Sequence, residues 1–330
     1  MAQHGDSEPL AGPPPGAAPP TPGPEWEPRA GDRRWPPPPA AGASAGSRST
    51  VGDARSSPAP SGEVVGGTSF LDVPGAPPAT RRDGWAWFLL AVIGFVVGEL
   101  VALILVTVAA AVAGESSQLT AIEKMASPPE WYVGVSLVGL WVGFFAAPWI
   151  ASKARGTGRF VADLGIRFRP VDLFGVVIGV GSQILIDVAY APFIHNSKSF
   201  TAPTTKLTGS SHGWGFAVIA VLTVIGAPFF EELFFRGLLF KALARIFAPA
   251  GAGPSVRRAL AVVAAVVLDG LLFALAHGEW AQFVGLAAFG MVLAAVSYRT
   301  ARLGMNMVSH ASFNLVAVFA VLSSRGVIVH

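Results

Sequence analysis

Residues 85–113 read WAWFLLAVIGFVVGELVALILVTVAAAVA and carry a single ionisable side chain, Glu99. A bilayer's hydrocarbon core is about 30 Å thick and takes about 20 helical residues to cross. This stretch is long enough to do so, and the chain holds more like it. Trp131–Ile150, Val171–Ile194, Trp214–Phe230, Ala259–Ala276, Phe283–Tyr298 and Leu303–Leu322 complete a set of about seven, within a range of six to eight. The range is open because Phe229–Phe247 either extends the fourth helix or forms a separate one after Pro228. Several spans begin at Trp, as interfacial anchors do. The fold class expected is therefore all-α, a polytopic transmembrane bundle.

Composition agrees. Of 330 residues, 52% are apolar and only 13% charged, with a mean hydropathy of +0.55; a soluble domain carries about 25% charged residues. Lipid, not water, is the solvent these numbers describe. The formal charge of +3 does not point to nucleic acid, because the cations lie between apolar runs instead of in one patch. No cysteine is present, which excludes disulfides, thiolate metal ligands and a cysteine nucleophile. Any chemistry must come from Glu, Asp, His, Asn, Ser or Arg.

Residues 1–80 hold Pro13–Pro15 and Pro36–Pro39 among Gly, Ala and Ser. Such a segment cannot bury enough apolar area to offset its ordering entropy, so it reads as a disordered cytoplasmic tail ahead of a membrane domain at 81–330. Without an early apolar core it is not a secretory signal; Trp26 and Trp35 beside prolines would suit a partner-binding tail. Arg81 and Arg82 precede the first span, and Lys153, Arg155, Arg159, Arg167 and Arg169 fill the second connection. Lys241, Arg245, Arg257 and Arg258 fill the fourth, and Arg299 and Arg302 the sixth. Cations in alternate loops put the N-terminus in the cytoplasm.

Ionisable groups within spans cost roughly 2.5–3.5 kcal/mol each on insertion scales and usually mark function. Here they are Glu99, Asp187, Glu231, Glu232, Arg236, Asp269, His277 and His310, and they should converge on one polar cavity. Three groups stand out by spacing. In Glu231-Glu232-Leu233-Phe234-Phe235-Arg236, residues four apart share a face, so Arg236 can hold Glu232 and leave Glu231 as a base; a helix-end charge pair is the plainer alternative. Phe273 and His277 lie one turn apart, where a lone histidine is otherwise a snorkelling or capping residue. His310 and Asn314 share a face of the last helix, a pattern that also suits an interhelical hydrogen bond. Together they supply a general base, two imidazoles and an amide, the parts needed to activate a water and stabilise an oxyanion. The same set could instead ligate a divalent metal through Glu231, His277 and His310.

At these residues the chain resembles the CPBP intramembrane proteases, the Abi family that includes the type II CAAX prenyl endopeptidases. The family's EExxxR, FxxxH and HxxxN motifs occur in order, as Glu231, Glu232 and Arg236, then Phe273 and His277, then His310 and Asn314. The motif core spans about residues 210–320; upstream helices fit loosely and the tail lies outside. The resemblance implies a helical bundle with a cavity open to membrane and cytosol, in which Glu231 and His277 activate water. His310 and Asn314 would stabilise the oxyanion, and Arg236 would orient the glutamates. It implies a membrane-associated protein or peptide substrate, lipidated in the eukaryotic branch, and the plasma membrane of a bacterial-type cell. It leaves open whether a metal such as zinc, or none, is used. The alternative function is a non-enzymatic scaffold, immunity protein or small transporter.

Other intramembrane proteases are excluded. There is no His-Glu-x-x-His and no Gly-x-Gly-Asp, and Gly181-Ser182 is followed by Gln183. Gln183 and Asp187 share a face of the third helix. Asp269 either orients His277 or pairs with a cation from another helix, and Glu99 has no assigned role. One expectation sits awkwardly: alternating helices place Glu231 and His277 towards opposite ends of their spans, whereas catalysis needs them within a few ångströms.

Overall fold

The structure, a computed structural model, describes residues 80–125, 128–193, 213–248 and 255–324. The expectation of a disordered tail lies outside the described residues except at Thr80. Seven helices are long and apolar enough to cross a membrane, and no strand occurs among the described residues. They are built on α1 (Arg81–Ala113), α2 (Glu130–Arg155), α3 (Gly175–Tyr190), α4 (Gly213–Phe247), α5 (Val256–His277), α6 (Phe283–Thr300) and α7 (Gly304–Ser324), the third and sixth spans including the 3-10 turns Pro170–Phe174 and Trp280–Gln282. The protein is an all-α integral membrane protein.

Local chemistry sets the helix ends. Thr80 and Asp83 form a reciprocal capping box at the start of α1, Thr80 Oγ1 accepting from Asp83 N and Asp83 Oδ2 from Thr80 N, which satisfies two orphan donors. Gly278, with φ +66°, closes α5 in the left-handed conformation that glycine adopts without a Cβ penalty. Large side chains face outward as readily as inward: Leu103, Leu185 and Val188 are 63%, 71% and 65% exposed. In water such surface would associate; in lipid it is the expected exterior.

With no hydrophobic drive between helices in lipid, close approach and van der Waals packing hold the bundle. Ala91, Gly94, Gly98 and Ala102 of α1 lie buried, as do Gly139, Gly143 and Ala147 of α2. A Cβ on Gly143 would meet the backbone of Gly94 and of Gly98. Gly143→Val is therefore expected to cost about 1–3 kcal/mol by overpacking, read as a lower unfolding temperature in detergent. Aromatic pairs tie α2 to α4: Trp141 stacks on Phe230 at 4.7 Å and Phe144 on Phe234 at 4.2 Å.

The ambiguity after Pro228 resolves as extension. α4 runs 35 residues, about 52 Å at 1.5 Å per residue, far longer than a bilayer core. Two π-helical turns interrupt it, at Leu222–Gly226 and Glu232–Leu239. Proline lacks the N–H that an α-helix would use and its ring crowds the preceding turn. The widened turn just before Pro228 accommodates both, and π turns concentrate at functional sites. Between α2 and α3, a short helix, Phe160–Leu164, is tucked under α4. Its Leu164 is buried against Leu233, Leu303 and Met307.

Candidate active site

The second π turn starts at Glu232, and it turns the two adjacent carboxylates into different surroundings. Glu232 is fully buried and collects three donors: Arg236 Nη1 at 3.0 Å, His310 Nδ1 at 2.9 Å and Asn306 Nδ2 at 3.2 Å. A carboxylate so surrounded is an acceptor with its charge compensated. Arg236, also fully buried, reaches further. Its Nη2 donates to Gly290 O at 3.0 Å, its Nε lies 3.4 Å from Asp269 Oδ2, and its guanidinium carbon sits 4.5 Å from the centre of the Phe273 ring. One cation thus binds two acids on α4 and α5 and a carbonyl on α6. Of the two roles open to Asp269, pairing with a cation from another helix is the one the structure contains.

Glu231 faces the other way. Its Oε2 is buried without a hydrogen bond, and two imidazole nitrogens converge on it: His277 Nε2 at 3.8 Å and His310 Nε2 at 3.7 Å. Both rings are fixed from behind. His277 Nδ1 lies 2.7 Å from Phe273 O; a carbonyl only accepts, so Nδ1 carries the proton there. The bond folds the ring back one turn along α5, and Glu231 stands near the middle of the over-long α4. Those two features bring together side chains that span-counting sets apart. His310 points its Nδ1 at Glu232 and so presents Nε2 to Glu231.

The structure unites Glu231, Glu232, Arg236, His277 and His310. Asn314 is engaged elsewhere, its Nδ2 donating to Thr223 O at 2.8 Å in the first π turn. Asp187 and Gln183 hydrogen-bond to each other at 2.9 Å on an exposed face, and Glu99 is on the outer face of α1. Sequence reading missed Asn306, which is fully buried and also donates to Leu293 O at 2.7 Å. Its signal was its place one turn before His310. Asn306→Ala is expected to cost about 1.5–3 kcal/mol, the scale of a hydrogen bond to a charged group, measurable by thermal unfolding in detergent.

Glu231, His277 and His310 are the donors a metal would use. Ligands about 2.0–2.2 Å from a tetrahedral zinc stand about 3.4 Å from one another. The 3.7 and 3.8 Å separations here are wider, and among the described residues no group of His, Asp and Glu has the spacing to hold an ion. The donor types fit a divalent ion, and holding one would require the two imidazoles to draw in on Glu231 by about 0.3 Å.

Fold and site define a class: a membrane protein, with seven spanning helices among the described residues, in which Glu231, His277 and His310 meet from three separate helices. Residues 213–316, about a third of the chain, match the family model described as Type II CAAX prenyl endopeptidase Rce1-like. The match covers α4 to α7 as far as Val316, so it includes all three motifs, and it bears out the resemblance they carry. No curated protein and no solved structure matches the chain significantly.

Proposed function

We propose that the protein is an intramembrane endopeptidase that cleaves a membrane-associated protein or peptide with water activated by Glu231. The observation that carries this reading is the convergence of two imidazole Nε2 atoms from α5 and α7 on one buried carboxylate oxygen, at 3.8 and 3.7 Å. At that separation the groups are too far apart for a direct hydrogen bond, and a small opening would admit one bridging water. Glu231, with His277, takes a proton from that water as its oxygen attacks the scissile carbonyl carbon. His310, held through Nδ1 on Glu232, turns its Nε2 edge to the tetrahedral oxyanion, where a preorganised donor stabilises developing charge. Asn314, its amide N–H on Thr223 O, fixes α7 against the first π turn of α4 and so helps to position His310. The proton held by Glu231 then passes to the leaving amine, so the site returns to its starting state. Arg236 positions Glu232, and Glu232 positions His310.

The cation-rich ends of the helices support a cytoplasmic placement of the N-terminal side in a plasma membrane. Arg155 of α2 pairs with Asp83 of α1 at 2.6 Å, and Leu303 N donates to Gly165 O at 2.8 Å, so these ends lie together. The positive-inside bias assigns them to the cytoplasm. The test is a comparison of membrane-fraction peptides from cells carrying wild-type protein and Glu231→Gln. Membrane-proximal fragments should vanish in the variant; identical fragment sets would leave a scaffold. If cleavage is found, its response to chelator separates metal-dependent from metal-free hydrolysis.

A further inference from the structure

We propose that the segment joining α2 to α3 is a binding site for the headgroup of an anionic phospholipid, held by Arg167 and Arg169. The case begins with charge. Three acidic side chains lie at this end of the described bundle, and each is already committed. Asp83 takes Arg155 and Thr80, the buried Asp163 takes the hydroxyls of Ser152 and Thr157, and Asp172 takes Arg302 through two short contacts at 2.6 and 2.9 Å. Arg155 and Arg302 are therefore neutralised from within the protein. Arg159, Arg167 and Arg169 are exposed and form no ion pair among the described residues. Among the described residues, then, these three arginines are left available to an anionic group.

Backbone geometry shapes these cations into a site. Pro170 restricts the residue before it to extended conformations, and Arg169 adopts φ −134°, ψ 154°. Arg167, Phe168 and Arg169 follow one another in irregular chain outside any helix, and all three are exposed. Two guanidinium groups only two residues apart in sequence are close enough to donate to one phosphodiester. Phe168 is 62% exposed, and Val171, Leu173 and Phe174 just beyond are 56%, 68% and 58% exposed. An aromatic and aliphatic edge beside arginines is the composition that seats at the boundary between headgroups and acyl chains. Each arginine near an anionic leaflet raises affinity roughly fivefold.

The segment is also stitched to the catalytic helix. Gly165 O accepts from Leu303 N, and Asp172, which binds Arg302, accepts Arg169 N at 2.8 Å. α7 begins at the next residue, Gly304, and carries Asn306 and His310. A lipid held at Arg167 and Arg169 would steady the end of α7 that the site depends on, whatever reaction the site performs.

The experiment is native mass spectrometry of the detergent-purified full chain with added phosphatidylglycerol or phosphatidylcholine. Wild type should retain phosphatidylglycerol preferentially. The variant R167Q/R169Q should bind it about 10- to 30-fold more weakly, with phosphatidylcholine unchanged, and R257Q/R258Q, which loses the same charge elsewhere, should bind as wild type. Equal losses in the two double variants would mean a diffuse field with no site, and no loss in R167Q/R169Q would remove the site altogether; either result overturns the proposal. Should the double variant fail to purify, Arg167→Gln and Arg169→Gln tested singly carry the same comparison, each expected to weaken binding about threefold to fivefold.

Discussion

The Glu231→Gln protein is expected to fold like wild type and to cleave about a thousandfold more slowly. A positioned general base contributes roughly 10²–10⁴ in rate, and glutamine keeps the shape of the side chain while removing its basicity. Stability should hold because the Oε2 atom of Glu231 makes no hydrogen bond that the amide would break. The neighbouring Glu232→Gln provides the contrast, since that carboxylate anchors Arg236, His310 and Asn306. Its loss should lower stability together with activity. Purified proteins in detergent or liposomes, assayed on a peptide identified by the fragment comparison, check both rates. A Glu231→Gln enzyme retaining more than about a tenth of wild-type activity would remove Glu231 as the base and with it the mechanism proposed above.

How much of this could be read in advance follows from the kind of signal each feature leaves. Spans are legible because a run such as residues 85–113 has no competing explanation in a soluble chain. The grouping of Glu232 with Arg236 follows from helical spacing and survives even in a π turn, where the two remain within 3.0 Å. The π turns themselves left no trace beyond Pro228, because hydropathy patterns carry no period for a local widening. That is why the fourth helix looked as though it could break. Depth was misleading for a related reason. Counting from span ends assumes helices of equal length, yet α4 overruns the bilayer and the His277 ring doubles back on Phe273.

Polar partners were the hardest to foresee. Asn306 and Asn314 each sit one turn from His310, on opposite sides along α7, and nothing in their identity distinguishes them. Only the packing of α6 and α4 around α7 directs Asn306 to Glu232 and Asn314 to Thr223. Asp269 was similarly balanced between His277 and a cation, and its pairing depends on how far Arg236 extends across to α5.

Arg236→Ala is expected to cost about 3–5 kcal/mol of stability, the penalty for stripping one partner from a buried ion pair. No solvent shares the load, because Arg236, Glu232 and Asp269 are all fully buried. Without the guanidinium, Glu232 keeps only His310 and Asn306 as donors, Asp269 loses its 3.4 Å contact, and Gly290 O loses its side-chain donor. Typical native stabilities are about 5–15 kcal/mol, so a large part of the margin would go. Lysine should not rescue: it is a point charge without the planar fork that lets one side chain serve an acid, a second acid and a carbonyl at once. If the loss comes from charge left behind, then neutralising what is left should recover some of it. Arg236→Met combined with Glu232→Gln and Asp269→Asn is thus expected to unfold at a higher temperature than Arg236→Ala alone, while remaining inactive because His310 has lost its anchor. Thermal unfolding in detergent and yield from membranes measure both. An Arg236→Ala protein within about 1 kcal/mol of wild type would mean that the network at the base of the site is not held by this cation.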